Sequence, residues 1–226
     1  MNWSEIARRA PIRLNLGGGA DNHSDARYPH YISVDFRARG EHSIAHDLTT
    51  PIPLPNGSVE RILSEHFLEH IDEAGIVHIL GECHRLLQPG GVARLAVPDY
   101  HSPHNRRALA ARFDPEHTDH LTFPTYPLMR DLVARSPFRG GRFYQYWDGE
   151  QFVHAEIDDA LGFVKRTVEH DPRNRCDSAG LLVWRTLRDS AIVISRGLRM
   201  SRTELSTQRY HPLRVTSIVI DLTRTP

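Results

Sequence analysis

The sequence predicts an α/β fold in which a mostly parallel sheet is covered by helices on both faces. Short apolar runs alternate with helical segments up to about residue 100. IRLNL (12–16) stops at three consecutive glycines, and YISVD (31–35) ends in a carboxylate. Apolar runs bounded in this way are typical of buried strands. Because strands that alternate with helices are joined by crossover connections, the pattern favours a parallel sheet.

The remaining elements follow from the same patterns. HSIAHDL (42–48), VERILSE (59–65) and VARLAVPD (92–99) are predicted as further strands. A helix is predicted from Asp72 to Leu87, because its apolar residues recur at spacings of three and four. Near the C-terminus, LRVTSIVIDLTR (213–224) is predicted as a terminal strand.

Composition excludes several classes of partner. The 226 residues contain 28 Lys and Arg against 28 Asp and Glu, so no net charge attracts nucleic acid or an anionic membrane. The two cysteines, Cys83 and Cys176, lack metal-site spacing and are expected to be reduced thiols. No long apolar segment or leader-like N-terminus is present. We expect a cytoplasmic protein, a monomer or homodimer, whose partner is a small molecule.

Small and acidic residues follow the predicted strands where the carboxyl ends of a parallel sheet form a crevice. Glycines after the first strand let a ligand approach the backbone, and Asp35 is placed to accept hydrogen bonds from a ribose diol. Recognition of NAD would need a third glycine where the chain has Asn22. Only eleven residues separate Gly19 from Tyr31, so the first crossover offers a poor helix N-terminus for a pyrophosphate. A nucleoside cofactor without a phosphate fits better.

Five ordered motifs resemble the class I S-adenosylmethionine-dependent methyltransferases, in particular the type 11 bacterial group found in polysaccharide and natural-product clusters. They are LNLGGG, ISVD, AHDLTTPIPLPNGSVERILSEHFLEHI, ECHRLLQPGG and VARLAVPD, within residues 12–100. The resemblance implies a Rossmann-like, mostly parallel seven-stranded sheet in which residues 213–224 form an antiparallel C-terminal edge strand. It also implies S-adenosylmethionine as cofactor and S-adenosylhomocysteine as product. Asn15 stands where many relatives carry an acidic residue.

The resemblance also implies which residues bind the cofactor. The glycine loop would contact its methionine part, Asp35 its ribose, and Asp47 with Leu48 its adenine. The segment SEHFLEH (64–70) would border both cofactor and acceptor. The predicted cofactor-binding set is Asn15, Gly17, Gly18, Gly19, Asp35, Phe36, Asp47, Leu48, Glu65 and His66.

The expected organisation has three parts. Residues 1–11 form an N-terminal helical extension, and residues 12–100 form the cofactor-binding half. Residues 101–226 form the substrate-side half, with a lid-like insertion at about 147–210 before the terminal strand.

The H-x-x-E-H pattern of His66, Glu69 and His70 raises the question of a zinc hydrolase. Such a site needs long helices and a third ligand, whereas this motif directly follows a strand. HTDH (117–120) is a further candidate metal cluster, but the prolines around it indicate a loop, and we expect no resident metal. A zinc hydrolase and a non-catalytic S-adenosylmethionine-binding module are the alternatives to a methyltransferase.

Methyl transfer to a hydroxyl or amine requires a base that removes a proton. The candidates for this catalytic role are His66, His70 and Asp99. Each also has a structural interpretation, since lone histidines commonly position loops or pack. The acceptor is expected to be a small molecule methylated on oxygen or nitrogen, including a sugar or a sugar-derived natural product. The candidate acceptor-binding residues are Tyr100, His120, Tyr146 and Arg173.

Overall fold

The computed structural model describes residues 1–19, 31–102, 105–114, 117–149, 151–168 and 217–225, together with residues 170 and 187. The strands are β1 Ile12–Leu16, β2 Ile32–Asp35, β3 Ser43–Ala45, β4 Val59–Glu65, β5 Leu87–Pro98, β6 Arg142–Asp148, β7 Gln151–His154 and β8 Ser217–Thr223. The helices are α1 Trp3–Ile6, α2 Glu73–Leu86, α3 Arg106–Ala111 and α4 Tyr126–Arg135, with short 3₁₀ turns at Leu68–His70 and Asp159–Leu161.

The described strands form one sheet in the order β3-β2-β1-β4-β5-β8-β6-β7. The first five strands in that order are parallel, and β8 runs antiparallel to both β5 and β6. The strand order reverses direction between β1 and β4. A sheet of this kind binds ligands outside the carboxyl ends of its strands at such a reversal. The structure therefore confirms the predicted mostly parallel α/β sheet and places its crevice after β1 and β4.

The sheet differs from the prediction in two details. It has eight strands rather than seven, and β8 lies between β5 and β6 instead of at the edge. The hairpin of β6 and β7 supplies the outer strands on this side. The first six residues of β8, Ser217 to Leu222, are all buried. A strand buried along both faces is typical of an interior position, which explains the difference.

Adjacent residues of the central strands enter two different apolar clusters. Ile62 belongs to the larger cluster, which includes residues of α2 and α4, whereas Leu63 belongs to a smaller cluster with Ile157 and Val164. Since successive side chains of a strand point to opposite faces, the two clusters cover the two faces of the sheet. In the described part of the chain, the segment 155–168 covers the second face.

Helix α2 forms where its periodicity predicts. Asp72 caps its N-terminus by accepting a hydrogen bond from the Gly75 amide at 2.7 Å. The predicted apolar stripe is buried, and burial raises the pKa of Cys83 to about 12. Cys83 is therefore a core residue, whereas Cys176 lies outside the described residues. Among the described helices, none has the length and apolar character needed to cross a bilayer.

Candidate functional site

The glycine loop after β1 is packed too tightly for side chains. Gly17 has φ +72°, and a Cβ there would lie 2.4 Å from both Cβ and Cγ of Phe67. A Cβ on Gly18 would lie 2.4 Å from Oγ of Ser33 and 2.8 Å from Nδ2 of Asn15. The loop is thus in contact with the segment that follows β4. This contact brings the predicted cofactor loop and the H-x-x-E-H segment together in one crevice.

Asp35 closes β2 directly beside this loop. Its Oδ2 accepts a hydrogen bond from the Gly19 amide at 3.0 Å, and its Oδ1 accepts one from the Arg37 amide at 2.8 Å. Each carboxylate oxygen has capacity for a further hydrogen bond. Among the described residues, a Cβ on Gly19 would meet no atom within 4 Å, so none of them fills the space beside the loop. Phe36 is 71% exposed next to Asp35 and offers an apolar surface.

The structure gives Asp47 and Leu48 different environments after β3. The Asp47 side chain is exposed and accepts hydrogen bonds from the hydroxyl and amide of Thr49, which lower its pKa. Leu48 is buried in the main core. The amide of His46, the residue before Asp47, donates a hydrogen bond to the Asp35 carbonyl at 3.3 Å. Asp47 therefore begins a turn near the end of β2, with its carboxylate directed to that turn.

Two residues at the end of β4 fasten other parts of the chain. Glu65 accepts hydrogen bonds from the amides of Lys165 and Arg166 at 3.2 and 2.7 Å. His66 has φ +54°, a conformation that is uncommon outside glycine and asparagine. Its Nε2 lies 2.8 Å from Oγ of Ser217 at the start of β8. The His66 imidazole is thus held by the first residue of β8, at the edge of the crevice.

A cluster of polar side chains surrounds Glu69, the carboxylate of the H-x-x-E-H motif, which would act as the base in a zinc hydrolase. Glu69 is 1% exposed, and its Oε1 lies 3.4 Å from Nδ1 of His66 and 3.9 Å from Nε2 of His120. The His70 ring packs edge-on against that of His120, with centroids 4.9 Å apart. Burial lowers the pKa of His120. His66, His70 and His120 are therefore brought together, as their predicted roles in one crevice require.

Asp99 and Tyr100 occupy buried positions after β5. The Asp99 carboxylate accepts hydrogen bonds from the amides of His101 and Trp147 at 2.9 and 2.6 Å, and burial raises its pKa to about 7. This arrangement favours a role in fastening β5 to β6 over the predicted catalytic role. The Tyr100 hydroxyl donates to Asp114 and contacts His120. Tyr100 is fully buried, so its geometry favours support of His120 over direct acceptor contact.

Of the two remaining predicted acceptor residues, the structure describes only Tyr146, which lies outside this crevice. Tyr146 stacks on Tyr126 of α4 at 3.9 Å and borders the main core. Its geometry favours packing. Arg173 lies outside the described residues. A cavity of about 550 Å³ is located at the opposite ends of β1 and β2, lined by Arg9, Ala10, Pro11, Arg13, Tyr31, Ile32 and His42.

A buried ion pair beneath the segment 155–168 was not anticipated. Arg94 of β5 is fully buried and donates two hydrogen bonds of 2.7 Å to the carboxylate of Asp221 in β8. It also donates to the carbonyls of Asp158 and Gly162. The sequence signal for this pair is one arginine, Arg94, and one aspartate, Asp221, each within an apolar strand. This pair ties the second face of the sheet to its covering segment.

Comparison with known proteins agrees with this architecture. Residues 29–95 match the family described as a methyltransferase domain. A probable S-adenosylmethionine-dependent methyltransferase from Mycolicibacterium smegmatis is 34% identical over 97 residues, which are 42% of this chain and 32% of that protein. The aligned segment thus covers about a third of the length of this relative.

Solved structures show the same fold at low sequence identity. A methyltransferase from Archaeoglobus fulgidus has a TM-score of 0.52 at 13% identity, covering 98% of this chain and 89% of its own. A second, from Thermotoga maritima, has a TM-score of 0.51 at 13% identity, covering 98% and 85%. The matched segment contains Asp35, Asp47 and the whole H-x-x-E-H motif. Residues 29–95 of this chain therefore match a methyltransferase domain, and the chain has the fold of these solved structures.

Proposed function

We propose that this chain transfers a methyl group from S-adenosylmethionine to an oxygen or nitrogen of a small-molecule acceptor, with sugars and sugar-derived natural products as the first class to test. The observation that carries the proposal is the contact of Gly17 with Phe67. It joins the cofactor loop to the histidine-bearing segment, so a bound cofactor and an acceptor near His66 share one crevice. Productive alignment of two reactants is a large part of such catalysis.

The residues of the crevice fit the cofactor of this family. No atom of the described part of the chain lies within 4 Å of a Cβ built on Gly19, which leaves room there for a ligand close to the backbone. Asp35 retains acceptor capacity for a ribose diol. The exposed ring of Phe36 offers a flanking surface for an adenine. When bound, S-adenosylmethionine supplies an activated methyl group on a sulfonium centre.

His66 is our candidate for the group that accepts the proton of the acceptor. It is 23% exposed at its side chain, and contacts from Ser217 and Glu69 fix its ring. A strained backbone at a residue of this kind is common in functional sites. His70 is one short turn further and its Nδ1 lies 3.0 Å from the Asp119 carboxylate. His66 is thus better placed to meet an acceptor beside the glycine loop.

Replacement of Asp35 by Ala is expected to weaken S-adenosylhomocysteine binding by about 2 kcal/mol, because the ribose loses a charged acceptor. The measurement is calorimetric titration of the purified chain, with NAD as a ligand control. Asp131→Ala removes an exposed carboxylate of α4 and should leave the affinity unchanged. Equal affinities for the wild type and Asp35→Ala, with both proteins folded, would refute the ribose assignment.

Replacement of His66 by Asn is expected to lower kcat by about 10²- to 10⁴-fold, since a general base contributes on that scale. Asparagine tolerates the positive φ of this position, so the fold should persist and S-adenosylhomocysteine should bind as in the wild type. Turnover is followed as S-adenosylhomocysteine release with a panel of sugar, polyol and amine acceptors. His78→Gln, on the exposed side of α2, is the matched control.

The panel also separates the alternatives. Cofactor binding without turnover of any acceptor indicates a non-catalytic binding module. No binding of S-adenosylhomocysteine at all contradicts the proposed function. Equal kcat in the wild type and His66→Asn removes His66 from the catalytic role while leaving methyl transfer intact.

A further inference from the structure

The carboxylate of Glu69 is buried without the partners that a buried charge requires. Glu69 is 1% exposed, and among the described residues its Oε2 has no hydrogen-bond partner. Its Oε1 lies 3.4 Å from Nδ1 of His66 and 3.9 Å from Nε2 of His120. A carboxylate removed from water is costly unless a cation or hydrogen-bond donors compensate it. A cation bound beside Glu69 would therefore stabilise its buried carboxylate.

Nε2 of His120 faces Glu69, and the contacts of the other ring nitrogen, Nδ1, determine whether Nε2 carries a proton. The Tyr100 hydroxyl donates its proton to Oδ2 of Asp114 at 2.8 Å. The same hydroxyl lies 2.5 Å from Nδ1 of His120, so Nδ1 carries the proton and donates it to the hydroxyl oxygen. The neutral ring then presents the lone pair of Nε2 toward Glu69. Two acceptors thus face each other at 3.9 Å.

His70 is oriented in the same way by another carboxylate. Its Nδ1 lies 3.0 Å from Oδ2 of Asp119, which favours the tautomer with the proton on Nδ1 and a lone pair on Nε2. Carboxylate contacts of this kind, direct or through a hydroxyl, fix metal-binding histidines in many proteins. Here Asp119 orients His70, and Asp114 orients His120 through Tyr100.

We infer that Glu69, His70 and His120 bind a divalent transition-metal ion of the zinc class. One ligand atom from each residue lies within 4.8 Å of the others. Contraction to bond lengths of about 2.0–2.2 Å requires each ligand atom to move inward by less than about 1 Å. Two imidazoles and one carboxylate leave a position open for water or substrate, as in catalytic zinc sites.

The position of the site links it to the crevice. Glu69 contacts His66, which we place beside the acceptor. An ion with an open position here can bind an acceptor hydroxyl and favour its deprotonation. This role in catalysis depends on the proposed function, but ion binding itself does not. The site thus combines two of the three residues of the H-x-x-E-H motif, Glu69 and His70, with His120, fifty residues after His70.

The test uses the full chain without an affinity tag, stripped of metal by a chelator and titrated with Co²⁺ and Zn²⁺. We expect one ion per chain and, for Co²⁺, the visible absorption of a low-coordinate nitrogen and oxygen site. Glu69→Gln, His70→Ala and His120→Ala are each expected to lower the affinity at least 100-fold. Tyr100→Phe, which removes only the hydroxyl that orients His120, is expected to lower it by about 10- to 100-fold.

His117→Ala is the matched control. His117 stacks on His120 at 4.8 Å but is exposed and outside the ligand set, so its loss should leave the stoichiometry and the spectrum unchanged. Absence of a stoichiometric ion overturns the inference. So does binding that survives in both His70→Ala and His120→Ala. If Glu69→Gln fails to fold by circular dichroism, the two histidine variants decide.

Titration of the metal-free and metal-loaded proteins with S-adenosylhomocysteine separates this inference from the proposed function. Cofactor binding without any stoichiometric metal overturns the metal site and leaves methyl transfer standing. Stoichiometric metal without cofactor binding supports the metal site and contradicts the proposed function.

Discussion

Replacement of Arg94 by Met is expected to lower the free energy of unfolding by about 3–5 kcal/mol, because it leaves a buried carboxylate without its partner. Asp221 is 5% exposed, and both of its oxygens accept hydrogen bonds from the Arg94 guanidinium. The variant also deprives the carbonyls of Asp158 and Gly162 of a donor. Equilibrium unfolding in urea measures the loss.

Two further variants show whether burial of the Arg94–Asp221 pair causes the expected loss of stability. Arg13→Met removes an arginine whose bond to Glu60 has a similar length, 2.8 Å, but whose side chain is 31% exposed. It should cost less than about 1 kcal/mol. Arg94→Met combined with Asp221→Leu removes both charges and should recover most of the loss. Similar losses for Arg94→Met and Arg13→Met would mean that water reaches the Arg94 pair.

The Arg94–Asp221 ion pair illustrates why the sheet is predictable from the sequence, whereas the side-chain contacts between its strands are not. The strands and α2 were predictable because hydrophobic periodicity is local. Arg94 and Asp221 are 127 residues apart, and their pairing depends on β8 lying beside β5. Each stands alone in an otherwise apolar strand, and two such charges of opposite sign were the signal for an interior pair.

The candidate site divides in the same way. The glycine loop and Asp35 were predictable because both directly follow strands whose carboxyl ends meet at one edge. The contact of Glu69 with His120 spans 51 residues and depends on residues 117–122, where the amides of Leu121 and Thr122 donate to the Glu69 carbonyl. Asp99 was assigned to catalysis from its place after β5. Its hydrogen bond from the Trp147 amide depends on the position of β6, 48 residues further along the chain.

The second large effect is expected at Gly17, where backbone conformation and packing act together. Gly17→Ala should lower the free energy of unfolding by about 2–4 kcal/mol, from the left-handed backbone and from displacement of a packed side chain. Gly17 has φ +72°, and the new Cβ would lie 2.4 Å from Cβ of Phe67, an atom too near the backbone to move aside easily. Because Phe67 lies between His66 and Leu68, its displacement should also disturb the segment that carries His66, our candidate base.

Alanine variants of two other glycines with similar φ separate the effect of the left-handed backbone from that of displacing Phe67. A Cβ on Gly90 (φ +76°) or Gly19 (φ +80°) would lie more than 4 Å from every residue that the structure describes around it, so both alanine variants should lose only about 1–2 kcal/mol of stability. Gly90→Ala lies in β5 away from the crevice and should bind S-adenosylhomocysteine normally. Gly19→Ala should bind it at least 10-fold more weakly, because its Cβ enters the space assigned to the cofactor. Normal binding by Gly19→Ala, measured by calorimetry, would place the cofactor elsewhere, whatever the stability of Gly17→Ala.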